Sequence, residues 1–278
     1  MSAVTGKKIR LNRLIQRETN SCIIFAIDHG LTSPSVSKGI VNARERVKQA
    51  VSGGANAIMM SRGIAKQLVD EFKRDTSLAL MLSASAAGCP RAASQSIITP
   101  IGSVEEALRI GADAVVVFSA LGGDDEPELI SYISKIGEAC ELLGMPFIAE
   151  AEFPTTYSAQ DTSSFQSYGV EYLKRNIRLC EELGADIIKT NWSGDKESFS
   201  QVIEVTDLPV VVAGGPITTD EDLLKRMEMA KLMGAIGCSV GRNIFEHKNP
   251  QAITQAITQI FKGQKNAREA LLELCEQI

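Results

Sequence analysis

Short apolar runs alternate with longer amphipathic stretches from residue 22 to the end of the chain. The runs are 22–27, 57–60, 78–82, 114–118, 147–151, 186–189, 209–213 and 235–240, eight in all. Most are apolar throughout rather than at every second position, the pattern of strands buried on both faces of a parallel sheet. The stretches between them predict helices over 42–52, 63–73, 104–110, 126–143, 169–183, 196–205, 220–233 and 251–262. Ser103-Val-Glu-Glu and Thr219-Asp-Glu-Asp read as N-caps with acidic first turns. Gly111, Gly144, Gly184 and Gly234 read as the residues that close helices in a left-handed turn.

One phrase recurs: Gly54-Ala-Asn-Ala-Ile, Gly111-Ala-Asp-Ala-Val, Gly184-Ala-Asp-Ile-Ile and Gly234-Ala-Ile-Gly-Cys. Each joins a helix end to a strand start, with a small Ala that lets helix and strand pack closely. Eight strands and four similar junctions predict one α/β domain, a (β/α)8 barrel spanning residues 20–262, rather than an open doubly wound sheet. Residues 264–278 read as a terminal helix on the outside, and 84–99 and 152–167 as long loops.

The 278 residues are 44 % hydrophobic, 23 % charged and 5 % aromatic, which excludes a disordered chain. With 29 Lys+Arg against 34 Asp+Glu the net charge is −5, which speaks against a nucleic-acid or membrane partner. His29 and His247 are the two histidines, too few for a His-rich metal site, and no metal or other cofactor is expected. The six cysteines are scattered without a Cys-x-x-Cys pair, and four lie inside apolar strand or helix patterns. They read as buried free thiols in a reduced, cytoplasmic setting. Residues 1–17 are polar and basic, unlike a signal peptide. Neither a Gly-x-Gly-x-x-Gly phrase after a strand nor a P-loop is present.

In a barrel of this kind the active site lies where the strands end. The polar strand ends are Asp28-His29-Gly30, Ser61-Arg62, Glu150 and Glu152, Lys189-Thr190-Asn191-Trp192, Gly214-Gly215-Pro216 and Gly241-Arg242-Asn243. Lys189 stands out, because it follows Ala185-Asp186-Ile187-Ile188 and so sits among apolar strand positions. A lysine there is costly unless it is paired or functional. Desolvation would lower its pKa and free a nucleophilic amine, and a fall from about 10.4 to about 7.5 is worth roughly 4 kcal/mol. The bland alternative is a lysine snorkelling to solvent. Asp28 fits a proton shuttle or a ligand for a substrate hydroxyl, or else a cap or a salt bridge to Arg62. Glu150 and Glu152 share a face and fit acid/base work or a structural ion pair. Gly214, Gly215 and Gly241, with Arg242, fit the phosphate cradle this fold places after its last two strands. His29, Arg62 and Trp192 are further candidate substrate contacts.

At these residues the chain resembles the archaeal-type class I fructose-bisphosphate aldolase family. That group includes 2-amino-3,7-dideoxy-D-threo-hept-6-ulosonate synthases and the autoinducer-2 aldolase/thiolase. The matching phrases are Ile27-Asp-His-Gly30, Ser103-Val-Glu-Glu-Ala with Gly111-Ala-Asp-Ala-Val, Ile187-Ile-Lys-Thr190 with Ser193-Gly-Asp, Val212-Ala-Gly-Gly-Pro216 and Val240-Gly-Arg-Asn-Ile-Phe245. The resemblance implies a barrel in a homo-oligomer, commonly a decamer, with an imine on Lys189 assisted by Asp28. It also implies a sugar phosphate held by the glycine turns and Arg242. The family's aldolases use a tyrosine just before a proline near the end of the fifth strand, where this chain has Phe153 before Pro154. Phenylalanine transfers no proton, so the role would pass to Glu150, Glu152 or Tyr157. The phrase after Lys-Thr, with Asn191 and Trp192 in place of the usual tyrosines, points to an altered substrate.

The sequence therefore predicts a metal-independent class I lyase or transferase acting on a small phosphorylated ketose. Two other readings stay open. One is a phosphate-binding isomerase or synthase that uses a carboxylate acid/base pair without an imine. The other is a non-catalytic sugar-phosphate binder.

Overall fold

Alternation of side chains along eight parallel strands sorts the apolar residues into two layers. The computed structural model describes residues 2–33, 36–72, 74–85, 97–154 and 164–278. Its strands are β1 (Cys22–Ala26), β2 (Ala57–Met60), β3 (Ser77–Met81), β4 (Ser83–Ser85), β5 (Ile98–Pro100) and β6 (Ala114–Phe118). They continue with β7 (Phe147–Ala151), β8 (Ile187–Thr190), β9 (Val210–Ala213) and β10 (Gly237–Val240). All but β4 and β5 close a parallel barrel in the order β1-β10-β9-β8-β7-β6-β3-β2. Each of the eight expected runs supplies one barrel strand, and the predicted (β/α)8 architecture is the observed one.

One layer fills the barrel: Cys22, Ile24 and Ala26 from β1, Met59, Met81 and Val116 from the next strands, then Ile148, Ile187 and Val211. The intervening residues, such as Ile23, Phe25, Ile188 and Val212, face outward into a larger core beneath the helices. Both faces of every barrel strand are thus buried, which is why the runs are continuously apolar.

The helices are α1 (Ser2–Leu14), α2 (Lys38–Val41), α3 (Ala43–Ser52), α4 (Arg62–Gln67), α5 (Val104–Ile110) and α6 (Glu126–Leu143). They continue with α7 (Ser164–Glu182), α8 (Lys196–Ile203), α9 (Asp220–Leu232), α10 (Arg242–Phe245), α11 (Pro250–Phe261) and α12 (Ala267–Glu276). Ser103 and Thr219 cap α5 and α9 as expected, accepting from the amides of Glu106 and Asp222. Gly111, Gly144, Gly184 and Gly234 all take positive φ. Cys22, Cys140, Cys180 and Cys238 are buried free thiols; Cys275 is exposed and free, and Cys89 lies outside the described residues.

Three features depart from expectation. Part of the long loop at 84–99 belongs to an antiparallel hairpin, in which Ser83 pairs with Pro100 and Ser85 with Ile98; residues 86–96 lie outside the description. Helix α7 starts earlier than expected and kinks at Gly169 (φ 69°, ψ −173°). The polar N-terminus is a helix, α1, that covers the barrel floor. It is anchored by charge rather than by an apolar stripe: Lys7 pairs with Asp186 at 3.0 Å and Arg13 with Asp113 at 2.9 Å. Its last residue, Leu14, is fully buried against the barrel interior. Asn56 donates to Leu14 O at 2.6 Å and accepts from the Ile23 amide at 2.7 Å. Asp113 and Asp186 likewise accept from the Leu78 and Phe147 amides. The third residue of the repeated Gly-Ala-Asn/Asp phrase thus ties each strand start to its neighbour and to α1. Among the described residues, no helix is long and apolar enough to cross a membrane.

Candidate active site

The inward-facing row of each strand continues past the apolar floor into polar residues at the barrel mouth. Ile148 is followed two residues on by Glu150, Ile187 by Lys189, and Ala26 by Asp28. Period two therefore aims all three side chains at the barrel axis. Glu150 and Lys189 stand directly opposite each other across the β7–β8 pair. The Lys189 ammonium donates to Glu150 Oε1 and lies 3.0 Å from Glu152 Oε1. The Glu152 amide donates back to Glu150 O at 2.9 Å, a tight turn ending β7 that brings the second carboxylate to the same lysine. Asp28, Glu150 and Lys189 are all buried, with Lys189 only 8 % exposed.

The ionisation of Lys189 is the reverse of the expected one. Burial alone would lower its pKa, but the charges of Glu150, Glu152 and Asp28 outweigh that and hold it well above the usual lysine range. The resting lysine is an ammonium ion. Burial, with Glu152 and Asp28 adding to it and Lys189 opposing, pushes the Glu150 carboxyl up to about 8. Three carboxylates around one ammonium leave a proton to spare near neutrality, and Glu150 is the group that keeps it.

One pocket connects this cluster to the glycine turns. It is lined by Glu152, Phe153, Lys189 and Asn191 at the ends of β7 and β8, and by Gly214, Gly215, Gly241 and Arg242 at the ends of β9 and β10. Gly215 takes φ 69°. Gly241 has a packing reason as well as the expected room for an anion: a Cβ there would lie 2.4 Å from His29 Cε1 and 2.7 Å from Ala26 O. His29 lines the pocket, edge-on to Phe245 with ring centroids 5.0 Å apart. Burial lowers its pKa; Asp28 opposes that, while Arg242 and Lys189 reinforce it, so the ring stays neutral at pH 7.

Two candidates stand elsewhere. Arg62, half-exposed at the start of α4, pairs with Glu106 at 2.9 Å and 3.1 Å. It forms neither a pocket wall nor a bridge to Asp28. Trp192 packs on Phe199 of α8 with centroids 4.9 Å apart, so its ring belongs to the helix layer. Phe153 is a pocket wall, stacked on Tyr172 at 5.9 Å, and the Tyr172 hydroxyl is occupied by Leu121 O. Tyr157 lies outside the described residues.

Two positioning residues were quoted from the sequence without such a role. Asn191 accepts from the Phe153 amide at 2.6 Å and donates to Glu152 Oε2 at 3.4 Å. Asn243 donates to Gly214 O at 3.1 Å and Pro216 O at 3.0 Å, and accepts from the Thr218 amide at 3.0 Å. It pins the turn after β9 from the start of α10, just beyond the neighbouring strand β10. Each is an amide at a strand end, which is the available sequence signal.

A family model described as DeoC/LacD family aldolase matches residues 22–247. The chain is 33 % identical over 266 residues to a 2-amino-3,7-dideoxy-D-threo-hept-6-ulosonate synthase of Halobacterium salinarum, covering 96 % of this chain and 95 % of that one. A synthase of the same name from Archaeoglobus fulgidus is also 33 % identical, over 98 % of this chain and 96 % of its own. Among solved structures, an archaeal fructose-1,6-bisphosphate aldolase with its catalytic Lys bound to the carbinolamine intermediate superposes with a TM-score of 0.78. It is 26 % identical, over 92 % of this chain and 100 % of that one. The chain belongs to the DeoC/LacD family of aldolases.

Proposed function

We propose that this aldolase makes or breaks a carbon–carbon bond in a small phosphorylated ketose through an imine on Lys189. The observation that carries the reading is the pocket itself: a buried, inward-facing lysine between two carboxylates, lining one cavity with glycine turns and an arginine. The related archaeal aldolase, whose catalytic Lys carries a carbinolamine of its substrate, supports the same chemistry here.

Lys189 must lose a proton before it attacks, and Glu150, once its own proton has left, is the carboxylate in contact to take it. The amine then adds to the ketone carbon, and the carbinolamine hydroxyl leaves as water with the proton returned by Glu150. The resulting iminium withdraws electrons from the adjoining bond, so that cleavage leaves an enamine and condensation consumes one. A carboxylate must accept or return the hydroxyl proton of the reacting partner. Asp28 and Glu152 flank Lys189 for that task, and Phe153 contributes only an apolar wall. The anionic end of the substrate is assigned to the turns at Gly214–Gly215 and Gly241–Arg242, where glycines that allow close backbone approach and a guanidinium suit a phosphate.

Lys189→Arg separates this reading from one in which the lysine only neutralises charge. Arginine keeps the cation and cannot form the imine. Loss of C–C activity with ketose phosphates is the expected result; a variant retaining an appreciable fraction of wild-type turnover contradicts the imine.

A further inference from the structure

Attack on the ketone places growing negative charge on its oxygen, and the groups around Lys189 are poorly suited to receive it. Glu152 and Asp28 bring negative charge, and the Glu150 proton is engaged in the exchange with Lys189. The Asn191 amide is turned to Glu152, and Arg242 belongs to the turn that the reading above assigns to the anionic end of the substrate. Two groups of the pocket that could donate have no hydrogen-bond partner among the described residues: His29 Nδ1, which lies 3.7 Å from Asp28 Oδ1, and the Ser239 hydroxyl, which has no charged group beside it to claim it. Ser239 lies on the inward row of β10, whose alternate residues Cys238 and Val240 face the outer core. It is 2 % exposed, it lines the pocket, and its Oγ has no hydrogen-bond partner among the described residues. Ala213, directly opposite on β9, and Ala26, the pocket residue that β1 presents next to Ser239's partner Ile24, offer no hydrogen-bonding side chain. A buried hydroxyl left without a partner costs about 1–3 kcal/mol. Inside a ligand pocket, that cost is recovered when a ligand oxygen arrives.

Ser239 is two residues before Gly241, so a ligand reaching from Lys189 to the Gly241–Arg242 turn passes alongside it. We propose that the Ser239 hydroxyl donates to the substrate's carbonyl oxygen as Lys189 adds, and holds the same oxygen as the carbinolamine hydroxyl until it leaves. The proposal rests on the imine reading above. The atoms balance without any proton from Ser239. Lys189 gives one proton to Glu150, and the nitrogen's second proton reaches the former carbonyl oxygen. Glu150 then returns its proton, the C–O bond breaks, and one water departs as the iminium forms. Ser239 supplies the donor that a phenylalanine at position 153 cannot.

The test is rapid-quench borohydride trapping with dihydroxyacetone phosphate, reading the adduct by intact mass in wild type, Ser239→Ala and Ser239→Thr. Ser239→Ala is expected to form the adduct about 100-fold more slowly, the usual effect of removing one such donor. The half-saturating ligand concentration should stay as in wild type, the melting temperature should hold or rise because an unpartnered buried hydroxyl is removed, and threonine, which keeps the hydroxyl, should restore much of the rate. An adduct formed by Ser239→Ala at the wild-type rate overturns the proposal. So does a change in half-saturation alone, which would make Ser239 a phosphate contact, or a fall in melting temperature that accounts for the loss. Absence of any adduct in wild type overturns the imine reading and this proposal with it.

Discussion

At the scale of single residues, the position of Lys189 was legible and its charge state was not. Strand period and an apolar flank place a lysine at the barrel mouth whatever surrounds it. The carboxylate that contacts it comes from another strand, 39 residues away in sequence, and only the β7–β8 register sets the two face to face. The same holds for Trp192, an aromatic beside the lysine whose ring is claimed by Phe199. A lysine held as ammonium makes a specific demand on pH. With Glu150 pushed up to about 8, the cluster must shed one proton before Lys189 can pass its own to Glu150. The rate of imine formation should therefore rise from pH 6 and level off above about pH 8. In Glu150→Gln that limb should vanish, with a rate at least about 100-fold lower, as for loss of a general base. A pH profile of single-turnover trapping reads both, and an unchanged profile in the variant removes Glu150 from the proton path.

At the scale of elements, the barrel strands were legible because each is buried on both faces, while the pieces that shape the mouth were not. The β4–β5 hairpin and the four-residue helices α2 and α10 are too short to show a period. They are set by contacts made from a distance, as when the Gly39 amide reaches Glu246 at 3.0 Å. The turn after β9 is the clearest case. Its glycines are visible in sequence, but its shape depends on the Asn243 side chain from α10. Asn243→Ala removes all three hydrogen bonds, leaving Pro216 O and the Thr218 amide without that partner while Gly214 O keeps Arg226 at 3.2 Å. The expected outcome is a KM for phosphorylated ketoses raised about tenfold, with kcat within about twofold of wild type, as for loss of a binding contact. Equal loss of kcat would show that the turn takes part in the reaction itself.

At the scale of the whole molecule, the two ends of the barrel are built by different means. The mouth gathers unlike charges around Lys189. The floor uses the repeated Gly-Ala-Asn/Asp junctions to receive α1, a helix that apolar periodicity does not reveal because Lys7, Arg10 and Arg13 make its contacts. Leu14 is its one fully buried apolar anchor. Leu14→Ala should cost about 2–5 kcal/mol in chemical unfolding, the range for emptying a buried leucine site. The mouth is at the opposite end, so substrate affinity should hold in the surviving native protein. A variant as stable as wild type would show that α1 is dispensable to the barrel. What the assembled barrel presents at its mouth is one amine, and the central claim is that this amine becomes the covalent link to substrate. Incubation with dihydroxyacetone phosphate and borohydride, followed by peptide mapping, tests it directly. The account expects a single reduced adduct of the ketose phosphate on Lys189. An adduct on any other lysine, or none on Lys189 with phosphorylated ketoses, would contradict it.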